Sequence, residues 1–226
     1  MTIVARHVIK EFGSSHTRVL HDLDVTIADG EFVSISGRSG AGKSTLLYLL
    51  STLDHPNHGE IIIDGETVRA LSVRALHAFR CRHVGFIFQF HYLLPELTAL
   101  ENVLLAPRNV GLLEEKRPQA MALLEQFDIV GEKDKFPAQM SGGQQQRVAI
   151  ARALIMNPRY IFADEPTGNL DTVNGMKVMQ ILQEVHRRDR TTIILVTHEP
   201  DYAAMASREI DLCDGRLVSD VRRGVS

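Results

Sequence analysis

Residues Gly37-Arg38-Ser39-Gly40-Ala41-Gly42-Lys43-Ser44 match the pattern GxxxxGK[ST]. They lie between a short apolar run, EFVSIS, that reads as a strand and a second, TLLYLLSTL, that reads as a buried helix. The glycines let the backbone turn tightly and come close to a ligand, so successive N–H groups and the start of the helix can face an anion. In such a loop Lys43 reaches the β- and γ-phosphates of a nucleotide and the Ser44 hydroxyl ligates Mg²⁺, with Thr45 closing the segment. A chance glycine-rich loop would not need a strand before it and a helix after it.

Three more predicted strand ends carry polar residues. Asp164 closes YIFAD and is the natural carboxylate for Mg²⁺; Glu165 follows at once and is the candidate general base that polarises an attacking water. The alternative is a structural carboxylate pair capping a turn. His198 closes TTIILVTH, where a neutral imidazole can donate to a γ-phosphate or hold the catalytic carboxylate; a lone structural histidine is the other reading. Gln89, near the end of HVGFIFQF, offers an amide to Mg²⁺ and to the water, although such a residue is unremarkable by itself.

These residues need a scaffold that brings strand ends together. TIVARHVIKEF and VLHDLDVTI alternate imperfectly around GSSHTR, as in an antiparallel edge region. EIIIDG is a strand closed by Asp64-Gly65, residues 71–80 look helical, and EIDLCDGRLV resembles a final hairpin. The helix GMKVMQILQEVHRR separates YIFADEP from TTIILVTHEP, which implies right-handed crossovers and a mostly parallel sheet with function at the carboxyl ends of its strands. Residues 91–157 differ in texture. ELTALENVLLA and RPQAMALLEQFDIV have helical periodicity, with Pro95, Pro107, Pro118 and Pro137 at expected boundaries, so a helical lobe is expected inside the core. GGQQQRVAIARALIMNP reads as a helix with Val148, Ala151, Leu154 and Ile155 on its apolar face, stopping near Pro158.

The chain has 226 residues, enough for one domain with an inserted lobe. Its 25 Lys and Arg against 28 Asp and Glu give a net charge of −3 with no block of one sign, so no nucleic-acid surface is expected. The first residues, MTIVARHVIKEF, have no signal-like apolar stretch, and no run of roughly 18 apolar residues occurs. A cytoplasmic protein that meets a membrane only through a partner is expected. Cys81 and Cys213 form no metal-ligand pair, and two inert thiols are expected.

The run Ser141-Gly142-Gly143-Gln144, followed by QQRVAIARAL, is not required by a generic phosphate-loop enzyme. Together with the phosphate loop, Gln89, ADEPTGNLD and His198, it resembles the nucleotide-binding subunit of ATP-binding-cassette proteins along essentially the whole chain. The resemblance implies an α/β fold of the P-loop NTPase type: a RecA-like, mostly parallel core, an N-terminal antiparallel β region and a helical subdomain at about 91–157, within a single domain spanning 1–226. It implies ATP and Mg²⁺ as cofactors, Mg²⁺ being held by Ser44, Gln89 and Asp164. It also implies a head-to-tail pair in which Ser141, Gly142, Gly143 and Gln144 of one copy face the γ-phosphate held by the other. Met140 stands where the commonest family pattern has Leu, a conservative departure. By the same resemblance Asp171 belongs to the loop that couples the two sites, Phe12 stacks on adenine and Val19 adds an apolar contact; both apolar residues could instead be core.

FQFHYLLPELTALENV and VTHEPDYAAMASREIDLCDGRLV look like the lipoprotein-releasing, macrolide- or peptide-exporting and haem-exporting subgroup, whose separate ATPase works beneath a few-span permease in a 2:2 complex at the cytoplasmic side of the inner membrane. A cell-division relative and soluble non-transport ATPases are the rival classes. Phe90, Tyr92, Leu93, Leu94 and Leu97 offer apolar material for a permease coupling helix, or else form the lobe's own core.

Overall fold

The computed structural model describes residues 2–223. Alternating patterning makes the first strands: β1 (Thr2–Phe12) buries Ile3, Ala5 and Val8 and pairs antiparallel with β2 (Thr17–Ala28). His7 and Asp22, both at φ 48°, sit where the register shifts, so the imperfect alternation has its cause in two β-bulges. In β3 (Phe32–Gly37), Phe32 to Ile35 are all buried, as expected of a parallel strand covered on both faces. Helix α1 (Lys43–Leu50) buries Leu46, Leu47, Leu49 and Leu50. There follow β4 (His58–Ile63), β5 (Glu66–Thr67), α2 (Val73–His83) and β6 (Val84–Phe88). The helical stretch holds α3 (Ala99–Val103), α4 (Leu105–Asn109), α5 (Leu113–Gln126) and α6 (Gly142–Leu154). The chain continues through β7 (Tyr160–Asp164), α7 (Thr172–Asp189), β8 (Thr192–Val196), α8 (Pro200–Ala203), β9 (Arg208–Cys213) and β10 (Arg216–Arg222). No helix among the described residues is long and apolar enough to cross a membrane.

The chain divides into two compact units, Met1–Leu76 with Gln183–Ser226, and His77–Leu182. In the first, β2, β1, β4 and β5 form an antiparallel sheet. Strand β3 pairs parallel with both β8 and β9, and β10 returns antiparallel on β9. Helix α1 packs against β1, β2, β3 and β8. The final hairpin is locked by Arg208, whose guanidinium donates two bonds of 2.7 Å to the Asp220 carboxylate and others to Glu31 Oε2 (2.9 Å) and the Thr26 carbonyl (2.7 Å). This satisfied fork allows an arginine only 6% exposed.

In the second unit β6 and β7 are parallel, with Phe88 opposite Asp164. Helix α6 packs on β6, α3 and α5 and buries Val148, Ile150 and Leu154, each contributing roughly 1.5–3 kcal/mol of apolar transfer. It ends at Leu154, ahead of Pro158. Two prolines expected at boundaries lie inside helices, Pro107 in α4 and Pro118 in α5. Pro107 falls in a first turn, where a missing N–H costs nothing. Pro118 forfeits the bond its amide would have made to the carbonyl of Glu114, an exposed residue whose oxygen water can reach.

Candidate functional site

The first unit builds the phosphate cradle. Parallel pairing of Ile35 with Val196 brings the ends of β3 and β8 out side by side, so Gly37 and His198 leave the sheet at one edge. They line a cleft of about 630 Å³ with Arg38, Ser39, Asp211 and Cys213. Gly37 has φ 134°, and a Cβ there would stand 2.2 Å from the Leu212 carbonyl oxygen. Gly42 (φ 97°) is nearly as constrained, since a Cβ would meet Leu20 Cδ2 at 2.8 Å and the Val19 carbonyl at 3.1 Å. Arg38, Ser39 and Gly40 are exposed, Ala41 is buried, and Ser44 and Thr45 are half-buried.

Lys43 is only 7% exposed and folds back into its own loop, its Nζ donating to the carbonyls of Gly37 (2.9 Å) and Arg38 (3.0 Å). Two of its three donors are thereby used. Because α1 begins at Lys43, the first-turn amides point out of the helix start toward the loop's concavity. Loop curvature, first-turn amides and an interior ammonium fit a polyphosphate.

Val19 is half-buried and lies over the loop, its Cγ1 3.6 Å from the Cβ position of Gly42. Phe12 is 47% exposed, with Lys10 Nζ 4.9 Å from its ring centroid. The core alternative therefore does not describe Phe12: its ring is open at the end of β1. Cys81 is half-buried and Cys213 exposed, both as free thiols.

The second unit carries the carboxylates. Since Phe88 faces Asp164 in register, Gln89 and Glu165 come off their strands as neighbours, Gln89 one residue beyond β6. Asp164 is 8% exposed; Glu165 adopts a left-handed φ of 46°, uncommon for a residue with a Cβ, and turns the chain sharply after the strand. A bond from Gly168 N to the Glu165 carbonyl (3.1 Å) closes the turn. The turn reaches back to Gln89, since Asn169 Nδ2 donates to the Gln89 carbonyl (2.9 Å) and a Cβ on Gly168 would meet Gln89 Nε2 at 2.9 Å. In this unit the Asp164 carboxylate and the Gln89 amide are oxygen donors of the hard kind that Mg²⁺ takes, as the Ser44 hydroxyl is in the first unit.

Ser141 caps α6 in a reciprocal box. Its hydroxyl accepts from Gln144 N (3.3 Å), while Gln144 Oε1 accepts from Ser141 N (2.8 Å). Gln144 Nε2 donates to Glu132 (3.0 Å), so this amide is committed to shaping the loop. Ser141 and Gly142 are exposed, and a Cβ on Gly142 would meet nothing within 4 Å. Gly143 lies beside Asn174, whose Nδ2 donates to Asp171 Oδ2 (2.7 Å) and whose backbone N–H donates to Asp171 Oδ1 (2.9 Å). Those bonds, the backbone one foremost, hold the Asp171 carboxyl below the usual range. The second unit thus places Ser141–Gln144 next to Asp171 through Asn174, a residue that motif reading had no reason to select. The spacing S-x-x-Q before an apolar run was a legible sign of the capping box.

Comparison with known proteins agrees with this geometry. The family described as ABC transporter matches residues 20–168. The chain belongs to the ABC transporter family. Its fold is the RecA-like ABC ATPase fold, with a phosphate loop, a mixed β core and helical insertions, and the chain is an ATP-hydrolysing enzyme with ATP and Mg²⁺ as cofactors. It is 52% identical over 93% of its length to the lipoprotein-releasing system ATP-binding protein LolD of Leptospira interrogans, 88% of which is covered. Over 99% of its length it is 45% identical to the macrolide export ATP-binding/permease protein MacB of Chlorobium luteolum, covering 33% of that larger ABC protein. The dimeric structure of MJ0796, described as a bacterial ABC transporter cassette, superposes with a TM-score of 0.91 at 40% identity, over 99% of this chain and all of that one.

Proposed function

We propose that this chain is the ATPase subunit of an exporter or extraction system of the lipoprotein-releasing and macrolide-exporting kind, bound to the cytoplasmic face of the inner membrane through its permease. It dimerises and couples ATP hydrolysis to a membrane permease. The finer reading is a 2:2 complex acting on an amphiphilic cargo such as a lipoprotein, peptide, drug or haem-like compound. The observation that carries it is 52% identity, over nearly the whole chain, to a lipoprotein-releasing ATPase.

Two copies pair head to tail, with the exposed Ser141–Gly142 helix start of each completing the anion site of the other. Lys43 and the loop amides hold the β- and γ-phosphates, and Phe12 and Val19 flank the base. Ser44, Asp164 and Gln89 supply oxygen ligands to Mg²⁺, which when bound neutralises charge on the phosphate oxygens. Glu165 accepts a proton from the attacking water, Gln89 orients that water and His198 donates to the γ-phosphate. Residues 91–157 serve as the helical subdomain of one nucleotide-binding domain. The permease docks on Phe90, Tyr92 and Leu94, which are 62%, 64% and 41% exposed, with half-buried Leu93 and Leu97 beneath. Exposure of the first three removes them from the lobe's core.

Glu165→Gln is expected to bind ATP, trap the closed pair and lose roughly 10²–10⁴-fold in turnover, the range a general base supplies; near-normal turnover in a phosphate-release assay removes Glu165 from that role. The cargo class is tested by tagging the chain, trapping complexes with a non-hydrolysable ATP analogue in mild detergent and identifying partners by mass spectrometry. One few-span permease at 2:2 is expected; division proteins in its place would favour a force-transmitting machine.

A further inference from the structure

The segment offered to the permease has an unusual anchorage. Phe90, Tyr92 and Leu94 are exposed, but the backbone is held by a fully buried amide and a half-buried guanidinium of the same unit. Asn102 of α3, fully buried, accepts from Leu94 N (2.8 Å) and donates to the carbonyls of Leu94 (3.1 Å), Leu97 (3.0 Å) and Thr98 (3.0 Å). Arg152, in the last turn of α6, donates Nη1 to the Tyr92 carbonyl (2.6 Å) and Nη2 to the His91 carbonyl (2.7 Å). Desolvation lowers the guanidinium pKa, and no carboxylate pairs with it among the described residues. Its charge is therefore spent on two backbone oxygens. Tyr92 is itself left-handed, at φ 45°, so these bonds hold a turn that the chain would not adopt cheaply.

The other end of α6 is tied to the catalytic segment. Gln146, 1% exposed, donates Nε2 to the carbonyl of Pro166 at 2.6 Å, one residue past Glu165. Ser141 caps the same helix, and Gln145 Nε2 holds the preceding strand of chain through the Pro137 and Met140 carbonyls (3.0 and 3.1 Å). Arg152 and Ser141 are thus joined by one continuous helix, roughly 16 Å from end to end at 1.5 Å per residue. A helix of this length transmits displacement as a rigid body, since its own ladder is stiffer than the loops at either end.

We infer that Arg152 is the positioning residue that passes movement of the His91–Leu94 segment to α6, and so to the Ser141 helix start and the Glu165–Pro166 turn. Asn102 fixes the segment's far side to α3, while Arg152, beside a side-chain bond between His91 and Gln145, ties the His91 and Tyr92 backbone to the helix that Ser141 caps. The inference rests on the proposed docking of a permease at this segment.

The test uses the intact complex in proteoliposomes and the isolated ATPase, comparing the parent chain with Arg152→Lys. Lysine keeps the charge but carries its donors on one compact nitrogen of a flexible stem, so it does not reproduce the spacing of the planar guanidinium fork across the His91 and Tyr92 carbonyls. Permease co-purification and the isolated subunit's turnover are expected to stay within about twofold of the parent, while stimulation of turnover by the permease falls about fivefold or more, the scale of an ordinary coupling energy. Arg152→Gln, which removes both the charge and the fork, is expected to lose at least as much stimulation. Unchanged stimulation in either variant, with the complex intact, overturns the assignment. A parallel fall in the isolated subunit's turnover in both variants also overturns it, because Arg152 is then a general structural residue. If the parent itself recruits no permease, the docking reading fails, and the inference with it.

Discussion

The phosphate loop and the Ser141–Gln144 loop are both glycine-containing turns ahead of a helix, yet they are built on opposite principles. The first is a tertiary object. Gly37 and Gly42 have φ values of 134° and 97°, and the space where side chains would stand is filled by Leu212, Leu20 and Val19 from distant strands. Its lysine is already drawn inside. The second is a local object, a Ser141–Gln144 capping box made within four residues, whose Gly142 faces open space and whose Gly143 has only ordinary contact with Asn174. One glycine set is required by the fold of the chain itself, while the other leaves room for something the chain does not contain. This contrast is the one expected of the composite site proposed above.

The largest consequence concerns Gly37→Ala. A Cβ 2.2 Å from the Leu212 oxygen, at a φ that alanine rarely adopts, is expected to cost about 3 kcal/mol or more in urea unfolding. A loss under about 1 kcal/mol would show that the cradle yields easily and that the distinction drawn above is false. Ser141→Ala removes a helix cap and should cost about 1 kcal/mol while abolishing ATP-dependent pairing in size-exclusion chromatography. Gly142→Ala separates the two effects further: the added methyl meets nothing, and alanine is the better helix former, so stability should hold or rise by up to about 1 kcal/mol as pairing is lost. Retained pairing would mean that no phosphate approaches this glycine.

The smallest effect is one of pH. The Asp171 carboxyl is held below its ordinary value of 3.8, chiefly by the Asn174 backbone N–H and then by its side chain. A depressed folded-state value means that the stabilisation of this α7 start is fully present above the unfolded pKa and is lost as pH falls through the lowered one. Carboxyl NMR should show Asp171 titrating below 3.8, and Asn174→Ala should bring it back toward that value. An unmoved titration in the variant would leave the backbone N–H groups around Asp171 as the cause.

Much of the fold was legible because each element carries its own local signal. The buried runs EFVSIS, YIFAD and TTIILV, the glycine pattern and the helix that follows it are short-range chemistry, and β3, β7, β8 and α1 lie where those signals put them. Pro118 lies inside α5 rather than at its boundary, one lost N–H being a cost the rest of the helix offsets, and Pro107 sits in the first turn of α4, where its N–H would have had no helical partner. The bulges at His7 and Asp22 left only an imperfect alternation, and the reason for it required the pairing of two strands.

Residue types and spacing were enough to single out Lys43, Ser44, Asp164, Glu165 and His198 as candidates for phosphate chemistry, and the resemblance to a family added the Ser141–Gln144 run. The tertiary structure decided which further amides and carbonyls these side chains are committed to: Gln144 to Glu132, Asp171 to Asn174, Arg152 to the backbone of His91 and Tyr92. The reason is physical. A nucleotide-binding loop is specified by steric permission and charge, both properties of residue type, whereas a buried donor must find whichever acceptor the packing leaves within reach.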